Sequence, residues 1–228
     1  MDRIPTSAPT AYSTGDVTDA RQMSNTQTHW NQTYEAKGDQ VSWFQLGPGR
    51  SFAMIGRAAL RKTAAIIDVG AGASRLADAL LADGFKDITL LDISDVALAR
   101  TRARLGAAAH SLSFIVADVT QWRPERTFDL WHDRAVFHFL TTTAAQNAYI
   151  SALKEGTRPG SLILLATFAL TGPETCSGLP VQRYSPDTLA QRLGRDFALE
   201  AASQETHHTP FGTSQDFTYA QFRRCAAS

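Results

Sequence analysis

The run Ile66-Ile67-Asp68-Val69-Gly70-Ala71-Gly72-Ala73-Ser74, followed shortly by Leu90-Leu91-Asp92-Ile93-Ser94, constrains this chain more than any other feature. An apolar run the length of one buried strand leads into a glycine turn. A helix-length stretch follows, and a second apolar run ends in a carboxylate. That succession is the first half of a nucleotide-binding α/β unit. Gly70 and Gly72 lack a Cβ, so the backbone can turn sharply there and a ligand can come close. Asp92, at the carboxyl end of the second strand, is placed to accept both hydroxyls of a ribose. The implied ligand has an adenosine-like part.

Arg75 stands where a dinucleotide fingerprint has its third glycine, at the start of the helix that would hold a pyrophosphate. Asp68, just before the turn, would repel a pyrophosphate and attract an ammonium group. Adenosine joined to a cationic amino-acid tail satisfies both, and S-adenosylmethionine has that structure. Here the sequence resembles the class I S-adenosylmethionine-dependent methyltransferases, whose first motif is an acid followed by a short glycine run. The resemblance implies cofactor contacts from Asp68, Gly70, Ala71, Gly72, Asp92 and Ile93. A nicotinamide enzyme is the competing reading of the same turn.

Two further segments fall where the resemblance needs them. Ser113-Phe114-Ile115-Val116-Ala117-Asp118-Val119 reads as a third core strand ending in an acid. Asp118 and the Val119 amide would flank the adenine, although a strand-end Asp also commonly caps a turn. Phe128-Asp129-Leu130-Trp131-His132-Asp133-Arg134-Ala135 reads as a fourth strand opening into a polar cluster. Ligands of open α/β sheets bind outside the carboxyl ends of the strands, where all four candidate sites lie.

Helices are expected at 29–34, 51–63, 74–82, 95–105, 143–157 and 185–193, and a fifth strand at 161–168. Segments 197–206 and 216–224, around Pro210-Phe211-Gly212, read as a β-hairpin. The expected fold is α/β and Rossmann-like, a class I methyltransferase fold. Its mostly parallel seven-stranded sheet would end in an antiparallel hairpin. Residues 1–27, rich in Ser, Thr and Pro, read as a disordered leader before a single domain at 28–228. With 22 basic and 22 acidic residues the chain has no electrostatic footprint for nucleic acid or a membrane surface. Its two cysteines make neither a disulfide framework nor a zinc pattern, so no metal is expected. A cytoplasmic protein with a small-molecule partner is expected; the oligomeric state is left open.

The cluster Trp131-His132-Asp133-Arg134-Ala135-Val136-Phe137-His138-Phe139 narrows the resemblance. It is similar to the Trp-Asp-Arg-(Gly/Ala) element of the thiopurine S-methyltransferases, with His132 inserted. Trp30, Trp43, Phe44 and Gln45 match the aromatic leader of that group. Protein lysine methyltransferases carry an Asp-Lys-Gly-x-x-Asp version, from which Arg134, Ala135 and His138 depart. They remain an alternative, as does a non-catalytic cofactor-binding module. A thiol or other soft nucleophile is the expected acceptor. Arg134 would hold its anion, His138 or His132 would take a proton where one must leave, and Asp133 would support the cluster. Trp30, Trp43 and Phe137 would face the positive charge of the methyl donor, with Trp30, Trp43 and His132 also against the cofactor. More ordinary roles are a core place for Trp131 and Phe139, an Arg134–Asp133 ion pair, and solvation for His207 and His208. The Gly/Pro-rich loop 171–180, with Cys176, would lie over the substrate side as a lid or a plain connection.

Overall fold

The computed structural model describes residues 14–38 and 40–226, with side chains from residue 25 onward. Helix α1 spans Thr14–Lys37 and α2 spans Gly49–Arg57. Strand β1 (Ala65–Val69), helix α3 (Leu76–Ala82), strand β2 (Asp87–Asp92), helix α4 (Asp95–Leu105) and strand β3 (Leu112–Val116) follow. Next come β4 (Phe128–Arg134), α5 (Thr143–Glu155) and β5 (Thr157–Phe168). The short pair β6 (Thr175–Cys176) and β7 (Leu179–Pro180), helix α6 (Pro186–Leu193), and strands β8 (Phe197–His208) and β9 (Ser214–Arg224) complete the order.

The main sheet has seven strands in the order β3-β2-β1-β4-β5-β9-β8. The first five are parallel, and β9 runs antiparallel between β5 and β8. This is the expected Rossmann-like sheet with its terminal hairpin. Strand order reverses between β1 and β4, and a crevice opens at the carboxyl ends at such a switch point. Period-2 alternation sorts the buried side chains into two layers. Ile66, Leu90, Leu130, Leu164 and Phe217 face α2 and α3, whereas Ile67, Leu91, Trp131, Ile163 and Phe222 face α5 and α6.

Several boundaries differ from expectation. Helix α1 crosses the domain edge expected at residue 28, and residues 1–13 of the expected leader lie outside the described residues. Gln27 Nε2 donates to the Ile93 carbonyl at 2.9 Å and Asn31 Nδ2 to Asp95 Oδ1 at 2.7 Å, so α1 is pinned over the end of β2. Helix α2 starts after Pro48 and ends at Arg57 rather than at 63; Ala59, with φ at 49°, turns the chain out of the helix two residues later. Strand β5 begins at Thr157, paired with Phe128 across a register shift. Among the described residues, no helix is long and apolar enough to cross a membrane.

Candidate active site

The glycine turn packs tightly against its own protein. Gly70 has φ at 67° and Gly72 at 51°, values that favour glycine. A Cβ on Gly70 would lie 1.9 Å from Val136 Cγ2, and one on Gly72 would lie 2.3 Å from the Tyr34 hydroxyl. Two side chains thus approach the turn closely. The amides are also engaged: Gly70 and Ala71 both donate to the Leu91 carbonyl, at 2.7 and 3.1 Å, and Gly72 donates to Asp92 Oδ2 at 2.7 Å.

Asp92 is buried at the carboxyl end of β2, and its Oδ1 accepts from the Ser94 amide at 2.8 Å. Burial raises its pKa from 3.8 to about 6 against the lowering effect of these two amides. Ser94 caps α4 through the Ala97 amide and donates to Asn31 Oδ1 at 2.7 Å. Asp118, beyond β3, accepts from both the amide and the hydroxyl of Thr120, the expected strand-end turn.

A cavity of about 620 Å³ opens along this rim, within the 300–1,000 Å³ or so usual for small-molecule sites. Asp92, Ile93, Asp118, Val119 and Gly70 line it, and so do Trp30, Tyr34, Trp43, Phe139, Arg134 and Cys176. The rings of Trp30 and Trp43 meet edge-on at 5.6 Å, and Trp30 meets Phe139 at 5.0 Å. Strand β6 brings Cys176 to the wall and β7 brings Leu179 and Pro180, so loop 171–180 borders the cavity. Burial pushes the Cys176 thiol up to about 11, leaving it a neutral wall group at neutral pH.

Alternation along β4 divides the polar cluster. His132 and Arg134 point to the face of α2, and Asp133 points to the face of α5. Asp133 is fully buried and accepts from Val136 N at 2.8 Å, Phe137 N at 3.1 Å and Tyr149 Oη at 2.7 Å. This corrects the placing of Asp133 beside substrate: it fastens the turn after β4 onto α5, and it does not pair with Arg134. Burial raises it to about 6 as well. Phe137 is likewise in the core, against Tyr149 and Tyr184, while Phe139 takes the cavity position. His138 is fully buried between Phe139 and Phe168, and its Nδ1 accepts from the Phe168 amide at 3.2 Å. Burial, assisted by the Arg134 charge, lowers it to about 3, so His138 is a neutral packed ring and not a base facing the cavity.

Arg134 donates from Nε to the Tyr219 hydroxyl at 3.1 Å and from Nη1 to the Trp43 carbonyl at 2.9 Å, and it stacks on Phe217 at 4.7 Å. Its buried Nη2 has no hydrogen-bond partner among the described residues. His207, expected to be solvated, is buried with Nε2 at 2.8 Å from the Ser42 carbonyl; His208 is exposed as expected.

On the α2 face, the register pairs Asp68 of β1 with His132 of β4. Asp68 Oδ1 lies 2.6 Å from His132 Nδ1, and His132 Nε2 lies 2.8 Å from Ser51 Oγ on α2. All three side chains are buried. Ser51 has no sequence signature beyond its polarity on an apolar helix face, and its partner is 81 residues away. Tyr34 and Val136, which meet the glycine turn, and Tyr149, Tyr219 and Phe217, which hold Asp133 and Arg134, also have no site role in the sequence reading.

The sheet order and the terminal hairpin define a Rossmann-like α/β protein with the class I methyltransferase fold. Residues 66–160 match the family model for a methyltransferase domain. Malonyl-acyl-carrier-protein O-methyltransferase 2 of Ilyobacter polytropus is 28% identical over 105 residues, covering 45% of this chain and 39% of that relative's length. A solved structure concerned with conversion of a disulfide bond into a thioacetal group during echinomycin biosynthesis superposes with a TM-score of 0.72 at 20% identity, over 89% of this chain and 94% of that one. The 1,6-didemethyltoxoflavin N1-methyltransferase of Burkholderia thailandensis gives 0.66 at 20% identity, over 97% and 94%. The N-methyltransferase NodS of Bradyrhizobium japonicum gives 0.65 at 17%, over 86% and 98%. Over residues 66–160 the chain is thus similar to a methyltransferase domain, and it spans well under half the length of the curated relative it matches.

Proposed function

We propose that this protein is an S-adenosylmethionine-dependent methyltransferase acting on a small molecule, with a thiol or another soft nucleophile as the favoured acceptor. The observation that carries this reading is one cavity bounded by two strand-end carboxylates, an aromatic wall and a single cation. Among the described residues lining it, Arg134 is the one cationic side chain.

The residues present fit an adenosyl cofactor. A carboxylate has about four acceptor sites, and the amides of Gly72 and Ser94 use two on Asp92, leaving capacity for ribose hydroxyls. Asp118 and Val119 are placed to flank the base. The engaged amides of the glycine turn offer no cradle to a pyrophosphate, which disfavours a dinucleotide. The relatives bear on the cofactor too: the toxoflavin enzyme and NodS structures contain S-adenosylhomocysteine.

When bound, the cofactor supplies a methyl group activated by a sulfonium. The chain's own part is to position and enclose. Trp30, Trp43 and Phe139 exclude water and offer ring faces to positive charge. Arg134 attracts an anionic acceptor and is itself held by Tyr219, Trp43 and Phe217. With His138 packed away and the Cys176 thiol and Tyr34 hydroxyl both raised by burial, the acceptor side has no ready proton acceptor among the described residues. A nucleophile that arrives already ionised suits such a site, and low-pKa thiols do so near neutrality. The relative concerned with disulfide-to-thioacetal conversion is in keeping with sulfur, whereas the others are named for oxygen and nitrogen.

The test is a panel of thiols, amines and carboxylates scored by release of S-adenosylhomocysteine, with calorimetric binding of that product measured beside it. Turnover of acidic thiols and loss of binding in Asp92→Ala are expected. Undiminished affinity in Asp92→Ala refutes the ribose assignment, and turnover confined to amines refutes the soft acceptor.

A further inference from the structure

Strand β8 is the outer edge of the sheet, and its burial alternates from Ser203 to His208. Ser203 and Glu205 are half-buried and His207 is buried, whereas Gln204, Thr206 and His208 are exposed. Period-2 geometry puts the first three on one face of the strand. All three are polar, so apolar packing does not explain what covers them. The cover is the connection between α1 and α2. His207 Nε2 lies 2.8 Å from the Ser42 carbonyl, and a carbonyl only accepts, so the ring nitrogen donates. Glu205 Oε1 accepts from Gln45 Nε2 at 3.4 Å, and its Oε2 from Arg50 Nε at 2.9 Å. Arg50 Nη1 donates to Ser203 Oγ at 3.3 Å. Alternate residues of one strand thus hold the segment 42–50.

The held segment has little backbone structure of its own. Among the described residues, 41–47 contains one backbone–backbone hydrogen bond, from the Phe44 amide to the Val41 carbonyl at 3.0 Å. Its place is therefore set from outside, by β8 and by Arg134 on the Trp43 carbonyl. Beside the large cavity lies a smaller one, to which this segment contributes Val41, Trp43, Gln45 and Pro48 and the sheet rim contributes Asp68 and Gly70. Trp43 lines the large cavity as well. The segment is thus one wall of the space beside Asp68, the acid expected to attract the cofactor's ammonium group. Ser203, Glu205 and His207 line neither cavity.

We propose that Ser203, Glu205 and His207 are positioning residues of the cofactor site, which fasten the segment 42–50 as a wall against the bound amino-acid tail and so set how long the cofactor stays. The inference rests on the cofactor reading above and adds to it residues that touch no ligand. A ligand behind this wall leaves when the wall lifts. Loss of a tether on β8 therefore raises the dissociation rate and leaves the contacts at Asp92 and Asp118 as they are. The proposal also gives the polar inner face of an edge strand a purpose. It joins the terminal hairpin to the connection before α2, 165 residues apart at His207 and Ser42, across the site.

The experiment uses the full chain and two probes, S-adenosylhomocysteine and 5′-methylthioadenosine, which has no amino-acid tail. Calorimetry gives their affinities, and stopped-flow gives the dissociation rate of the first. His207→Phe combined with Glu205→Ala removes two tethers and leaves every cavity-lining side chain in place. S-adenosylhomocysteine is expected to dissociate about tenfold faster and to bind about tenfold more weakly, the scale of a lost hydrogen bond to a charged group. Binding of 5′-methylthioadenosine should be nearly unchanged. His207→Gln with Glu205→Gln, which keeps a donor for Ser42 and an acceptor for Gln45, should restore most of the loss. Chymotrypsin should cut after Trp43 or Phe44 faster in the His207→Phe, Glu205→Ala variant than in the unaltered protein. If that variant does not fold, His207→Phe alone carries the same comparison. Unchanged dissociation of S-adenosylhomocysteine overturns the proposal, and so does an equal loss of both probes, which is what general destabilisation gives. Failure of the glutamine pair to restore binding overturns it too. Failure of the unaltered protein to bind either probe overturns the cofactor reading and the proposal with it.

Discussion

Gly70 offers the sharpest quantitative test of how the turn is built. Replacing it by alanine puts a Cβ 1.9 Å from Val136 Cγ2 and holds an L-residue at φ 67°. The left-handed backbone costs about 1–2 kcal/mol for such a residue. Overpacking a filled site adds about 1–3 kcal/mol. Gly70→Ala is therefore expected to destabilise by about 2–5 kcal/mol, the sum of these two costs. Val136 is only partly buried, so Val136→Ala alone should cost about 1 kcal/mol. In the double variant the offending Cγ2 is gone, and the overpacking part should be recovered. A cycle of urea unfolding curves should then show a favourable coupling of about 1–3 kcal/mol, with the backbone strain remaining. Additive single and double variants would refute the contact between turn and valine as the reason for glycine at 70. The double variant should also bind S-adenosylhomocysteine, because its new methyl fills space that the valine held and the ligand did not.

Two pH effects follow from the buried acids. Asp92 titrates near 6, and only its ionised form can accept from two ribose hydroxyls; affinity for S-adenosylhomocysteine should be flat from pH 7 upward and about tenfold weaker at pH 5, and a profile without this fall refutes Asp92 as the ribose acceptor. Asp133 is also raised from 3.8 to about 6, so between those values the native protein holds a proton that the unfolded chain has released. Stability contributed by this group is complete below its unfolded value and declines as pH rises to about 6, by about 3 kcal/mol. Asp133→Asn should remove its share of that slope from urea midpoints, leaving the share of Asp92, while destabilising the protein through lost bonds to the turn and Tyr149. An unaltered slope would refute the assignment.

The parts of this molecule legible in the sequence are those set by short-range rules. Glycines at 70 and 72 announce a turn with positive φ, the apolar runs announce parallel strands, and an acid after Leu91 announces a strand-end carboxylate; each appears where expected. The polar cluster was less legible because adjacent residues of a strand face opposite layers. His132, Asp133 and Arg134 read as one group, yet alternation sends the middle one to Tyr149 on α5 and the outer two toward α2. The same rule, applied to β4 from Leu130 onward, separates them without any coordinates, since Leu130 and Trp131 already belong to different layers. Ser51 is different in kind. Its role depends on the register of β1 against β4, which fixes Asp68 beside His132, and on α2 packing over that pair. A helical serine acquires this partner only when the register sets a histidine of the sheet against it. No local pattern carries that information, so the sheet's pairing must come first and the chemistry of the hydroxyl follows from it.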